Sequence, residues 1–296
     1  MSPDPAPDRP VAPLINLAVI GLVGGVAMQK CRAALDGQAG GAVTTIPQTG
    51  AVGDTVPVRR LRALEQTAAP LLALIEDTTR VDPGWLAAVL AGFADPRVGA
   101  VWGPVRIDPD LGARFRALGR MEYGRFDGRF DRRGPVVTGS AGSGPPGNCM
   151  AFRRTALLAA LPPAQDGITE HQVAARMQAQ GWTILFLPDA RSSYAAADIH
   201  GARLSTRFGH GRLYAATSPA RHSLRGRAIG AAKALLVPGV LTLRALRHAA
   251  AAAPPRVWPR MLLAEAPWIG LMALAWGLGE LTGHLFGIGH SERTWR

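Results

Sequence analysis

The chain has 296 residues, enough to bury a sizeable core, with 33 Lys and Arg against 21 Asp and Glu and a formal net charge of +12. That balance favours anionic partners, phosphate-bearing small molecules and membrane surfaces first. Nucleic acid is the weaker reading of that charge, because the basic residues interleave with apolar helical stretches and no recognition motif accompanies them. Two cysteines, Cys31 and Cys149, are too few for a disulfide framework and sit in no metal-binding spacing, which points to a reduced cytosolic setting.

Residues 1–13 are Pro-rich and polar and read as a disordered lead-in. The apolar run 14–28 follows a segment carrying Asp4, Asp8 and a single Arg, and it is short for a membrane span. It therefore reads as a strand over 15–22, a Gly24-Gly25 turn and a helix over 26–35. Such a turn can offer backbone donors to a phosphate, or be simply a turn. A strand over 42–46 and a helix over 58–67 follow.

The stretch 71–75, Leu-Leu-Ala-Leu-Ile, is the short apolar run that a parallel sheet buries on both faces, and it stops at Glu76 and Asp77. Two carboxylates thus stand at the carboxyl end of a central strand, where open α/β sheets bind ligands. Asp82 is placed to cap the next helix and Pro83 to fill its first turn, with Trp85, Leu86, Val89, Leu90 and Phe93 at helical spacing. A strand up to Val105 comes next. Phe115, Leu118, Met121 and Tyr123 then mark a helix whose other face is basic: a solvated face, or one turned to an acceptor or a membrane. Residues 136–147 form a Gly, Ser and Pro loop, and Asn148 opens a strand in which Cys149 is a small buried side chain.

Thr169 and Gln172 have the spacing of a capping box, which sets Glu170 and His171 in the first turn of a helix reaching Gln180. The positive end of that helix favours neutral imidazole, the form that accepts a proton. A strand over 183–187 closes at Pro188-Asp189. From 199 to 264 there is no acidic residue, while Arg203, Arg207, Arg212, Arg221, Arg225 and Arg227 recur. The segments 228–246 and 261–289 are apolar. The first is interrupted by Lys233, Pro238 and Arg244, as in an interfacial helix; the second carries Trp268 and Trp276, suited to a headgroup boundary, but also Glu265 and Glu280. We expect a helical hairpin on, or dipping into, the inner leaflet, with a partner protein covering the same faces as the alternative.

The runs LLALIEDTTRVDPGWL, PPGNCMAFRRTALLAAL, ITEHQVAARMQAQGWTILFLPDA and WGLGELTGHLFG, in this order over roughly 70–290, resemble the inverting family-2 glycosyltransferases. The resemblance implies a GT-A-like α/β domain over 14–225, a mixed, mainly parallel sheet flanked by helices, followed by membrane-associated helices over 226–296. It implies transfer of a sugar from a nucleotide-sugar donor to a lipid-linked or cell-surface glycan acceptor at the cytoplasmic face of the membrane. Glu76 and Asp77 would bind the donor, with Asp77 holding a Mg²⁺ or Mn²⁺ ion, and Arg207 and Arg212 would meet its phosphates. His171, or else Glu170, would be the base. Three places depart from the family's pattern. Thr78 stands where it has the acid that commonly binds the metal, His171 where it has Asp, and the loops 21–25 and 47–51 carry no acid for the nucleotide's base and ribose. A catalytically degenerate binding or partner subunit is therefore the competing expectation.

Overall fold

A computed structural model describes residues 13–38, 41–49, 51, 53–127, the backbone of 136–137, 145–162, 167–218, 223–252 and 254–291. The lead-in up to residue 12 and most of the loop 136–147 lie outside these residues.

The amino-terminal half alternates strand and helix: β1 (Ile15–Ile20), α1 (Gly25–Asp36), β2 (Gly41–Ile46), α2 (Val56–Glu65), β3 (Leu71–Glu76), β4 (Thr79–Val81), α3 (Trp85–Gly92), β5 (Val98–Trp102), β6 (Val105–Ile107) and α4 (Ala113–Tyr123). A 3₁₀ turn (Gly124–Phe126) leads on to β7 (Val136–Val137), β8 (Cys149–Arg153), α5 (Arg154–Ala160), α6 (Glu170–Ala179), β9 (Thr183–Phe186) and β10 (Ser192–Tyr194). Helices α7 (Leu204–Ala216), α8 (Leu224–Ala234), α9 (Val237–Ala252) and α10 (Trp258–Phe286) complete the chain.

Seven strands form one sheet in the order β2-β1-β3-β8-β5-β9-β7, with β8 and β7 running against the other five. This is the mixed, mainly parallel sheet expected. β1 and β3 are buried at every position because helices cover both faces. The period of two sends Leu72 and Leu74 into one core with Trp102, Met150 and Phe152, and Leu71, Ala73 and Ile75 into the other with Cys31, Trp85 and Val89. A small sheet, β4-β10-β6, lies beside the strand ends.

Local chemistry overrode three expectations. The strand expected to reach Val105 is split, since Gly103 lies against the backbone of Ala190 with no room for a side chain. Asp82 does not cap α3 through its carboxylate. Its carbonyl accepts from Trp85 N at 3.1 Å, the cap position belongs to Gly84 at φ 82°, and the carboxylate faces Arg106 at 3.6 Å. Thr169 likewise holds the cap position of α6 without a side-chain bond, its carbonyl accepting from Gln172 and Val173 N at 3.1 Å.

The apolar segment 228–246 is two helices, α8 and α9, bent by 51°. Helix α10 packs along α7 at backbone contact: Gly279 and Gly283 lie on the carbonyls of Phe208 and Arg212, and Gly211 lies on that of Trp276. Small residues at such crossings let helices approach closely, as in membrane helix pairs. Glu265 fastens α10 to α4 by accepting from Arg116 Nε at 2.7 Å and Arg120 Nε at 3.4 Å, while Glu280 accepts from Trp276 Nε1 at 2.6 Å.

Candidate active site at the carboxyl ends of the strands

β3 delivers Glu76 and Asp77 to the carboxyl edge of the sheet, and the two side chains go separate ways. Glu76, 6% exposed, accepts from Arg60 Nη2 at 2.9 Å and from the Tyr123 hydroxyl at 3.1 Å. Arg60 reaches it from α2, and its other nitrogen, Nη1, pairs with Glu170 at the start of α6. The guanidinium also donates to the carbonyl of Gly147 at 2.8 Å. One cation therefore joins the strand acid and the helix acid. Burial pushes the Glu76 carboxyl up to about 7, against the pull of Arg60, which is shared with a second carboxylate. Burial also raises Glu170, but Arg60, a backbone N–H and the nearby His171 outweigh it and hold the group below the usual range.

Asp77 turns back toward β1. Its amide donates to the Ile20 carbonyl at 2.9 Å, extending the ladder, and its carboxylate accepts from Val23 N at 3.0 and 3.2 Å and Gly24 N at 2.6 Å. Gly24 and Gly25 supply the left-handed backbone, φ 75° and 52°, that aims these amides at the acid. The Val23 and Gly24 amides of this turn are thus taken by Asp77. Arg59 braces the same loop, donating to the Gly21 carbonyl and pairing with Asp54 at 3.3 Å. Burial raises the Asp77 pKa despite these backbone bonds.

This donor set does not fit a divalent cation. Hard ions of the Mg²⁺ and Mn²⁺ kind need free carboxylate oxygens. Both oxygens of Asp77 are spent on amides, those of Glu76 on Arg60 and Tyr123, and the Thr78 hydroxyl is buried without a partner. Among the described residues no three His, Cys, Asp or Glu side chains are grouped to hold a metal. The expectation that Asp77 binds the ion therefore meets a carboxylate already used to shape the β1–α1 turn.

His171 is exposed on the first turn of α6, beside Glu170 and open to solvent. Arg207 and Arg212 are not on the acid cluster. Arg207 is buried in α7, pairs with Glu122 and contacts His210 Nδ1 at 3.0 Å; Arg212 donates to the Gly287 carbonyl at 2.7 Å, at the end of α10. Their charges are used to hold helices together. Sequence reasoning missed Arg60, and took Tyr123 only for an apolar position. The signal was the Arg59-Arg60 doublet one helix ahead of the acidic strand, too much charge for a helix packed under a sheet unless carboxylates await it.

A family model described as "Glycosyltransferase like family 2" matches residues 22–221. A search of curated proteins finds no match. Among solved structures, the mannosyltransferase PcManGT from Pyrobaculum calidifontis, in complex with GDP-Man and Mn²⁺, is similar at 17% identity and TM-score 0.49, over 93% of this chain and 89% of that one. A197 from STIV is similar at 14% identity and TM-score 0.36, over 59% and 82%. Neither likeness carries the assignment, which rests on the family match over more than half of the sequence. By that match, the chain belongs to the family-2 glycosyltransferases.

Proposed function

We propose that the chain transfers a sugar, with inversion, from a nucleotide-sugar donor to a hydroxyl of a lipid-linked or cell-surface glycan acceptor. The observation that carries this reading is the meeting of Glu76, Glu170 and Arg60 at the carboxyl edge of the sheet, with His171 exposed beside them. In the reaction the acceptor hydroxyl gives its proton to His171, its oxygen forms the new bond at the anomeric carbon, and the nucleoside diphosphate leaves with the electrons of the broken bond. Glu170, ionised by Arg60, is the second candidate for the base. Glu76 and Asp77 line the edge where the donor lies, Asp77 by shaping the turn.

The apolar outer faces of α8 to α10, with Leu263 at 82% and Phe286 at 75% exposure, support attachment to a membrane. The helix 255–286 is long and apolar enough to cross a membrane, and the arginines around it favour the cytoplasmic face. A non-catalytic partner subunit is the second reading, favoured by the spent oxygens of Asp77 and the Thr at position 78. Calorimetric titration with UDP- and GDP-sugars, with and without Mn²⁺, separates the two. Saturable donor binding supports the transferase; a dependence on Mn²⁺ would require Asp77 to leave the Val23 and Gly24 amides. Absence of binding to every donor supports the partner subunit.

A further inference from the structure

Away from the acid cluster, the turn after α4 and one face of α9 flank a partly open cavity of about 40 Å³. One water needs about 10–15 Å³ of such space, so the cavity has room for about three waters, the bulk of a tetrahedral oxyanion. Its walls are Arg120, Arg125, Arg244 and His248, with Met121 and Leu241 between them. Leu241, Arg244 and His248 share one face of α9 by helical spacing. Gly124 lies beside His248 on that face, where an added Cβ would be in ordinary van der Waals contact with the His248 Cβ at 3.4 Å.

Three arginines and a histidine from three elements converge on this space, and repulsion between the arginines opposes that arrangement. Arg120 is compensated by Asp127 at 2.8 Å and reaches Glu265 at 3.4 Å, and Glu265 also serves Arg116. Arg125 lies over the Phe126 ring at 4.4 Å; desolvation and then the charge of Arg244 lower its pKa, while Glu122 and Glu170 favour its charge. Away from the cavity α9 exposes Val240 and Leu243, 59% each, with Arg247 on the same face, and Leu236 just before the helix is 69% exposed. A basic pocket just large enough for one oxyanion thus opens beside an uncovered apolar helix face.

We propose that the cavity between Arg120, Arg125, Arg244 and His248 binds a phosphate group, supplied either by a phospholipid headgroup whose chains run along α9 or by free inorganic phosphate. The site is separate from the acid cluster, yet it shares one segment with it: Tyr123 donates to Glu76, and Arg125 follows two residues later. It does not depend on the transferase reading. Its lipid arm uses the membrane attachment proposed above; its phosphate arm does not.

The test compares the full-length protein with Arg244→Glu and with Arg247→Glu, which makes the same charge change on the same helix, at an exposed position outside the cavity. Each is titrated with inorganic phosphate and with vesicles of phosphatidylcholine, with and without phosphatidylglycerol. Arg244→Glu should weaken binding about tenfold or more and Arg247→Glu by about threefold or less, because reversal in the pocket removes a direct charge-assisted contact while reversal outside it changes only the diffuse field. Arg125→Gln should repeat the loss of Arg244→Glu with an unchanged circular-dichroism spectrum. Selective loss with phosphate alone assigns a free-phosphate site, and selective loss only with anionic vesicles assigns a headgroup site; both uphold the proposal. Equal losses from Arg244→Glu and Arg247→Glu, or binding of neither probe by the wild type, overturn it.

Discussion

Arg60 is 5% exposed and divides its guanidinium between Glu76 and Glu170, residues far apart in sequence that the sheet edge brings together. One positive charge between buried Glu76 and half-buried Glu170 leaves a net negative charge, and the more buried acid bears the cost, which is why Glu76 is pushed up to about 7. A consequence for stability follows. A carboxyl raised in the folded state stabilises fully below its unfolded pKa, near 4.5, and that contribution is lost as pH rises through about 7. Glu76→Gln should therefore gain on the wild type between pH 5 and 8, by about 1–3 kcal/mol at the upper end, in urea unfolding at a series of pH values. A flat difference across that range would mean that Arg60 compensates Glu76 completely. The acids themselves were legible in the sequence, because an apolar run ending in Glu-Asp announces a strand end. Their partners were not. An ion pair across α2, β3 and α6 leaves no local pattern, and the engagement of Asp77 with Val23 and Gly24 depends on a turn geometry that a Gly-Gly pair permits without dictating.

At the scale of elements, β1, β3 and α3 could be read from apolar periodicity alone, while caps could not. Asp82 and Thr169 have the right identity and spacing, yet Gly84 and the Thr169 carbonyl do the work, since a backbone group satisfies the same orphan amides. The α7–α10 crossing was visible as an apolar segment but not as a contact. It rests on glycines whose absent side chains admit carbonyls: Gly283 faces the Arg212 carbonyl and the Ala215 methyl. Gly283→Leu should lower stability by about 1–3 kcal/mol or more through overpacking. Gly270, in the same helix, has nothing within 4 Å of the place a methyl would occupy and serves as the control. Gly270→Ala should gain about 0.5–1 kcal/mol by helix propensity. Melting of the purified full-length protein in detergent reads both, and equal effects would mean that the crossing contributes nothing.

For the whole molecule, the strand and helix alternation and the order of the motifs were enough to anticipate the sheet and the family. The helical carboxyl end is bound into the body by α7–α10 contacts and by Glu265, so the apolar faces left outside are those of α8, α9 and the outer side of α10. The chemistry is less legible, because the pairing of Arg60 with Glu76 and Glu170 and the engagement of Asp77 with Val23 and Gly24 arise only when distant elements meet. We expect the edge holding Glu76, Arg60 and Glu170 to transfer sugar with His171 as the base. Release of nucleoside diphosphate from a panel of sugar donors by wild type, His171→Ala and His171→Asp tests it most directly. Turnover by the wild type is expected, with a loss of about a hundredfold to ten-thousandfold in His171→Ala at nearly unchanged donor affinity, and retained or higher turnover in His171→Asp. No release by the wild type from any donor, and none awakened in His171→Asp, would contradict it.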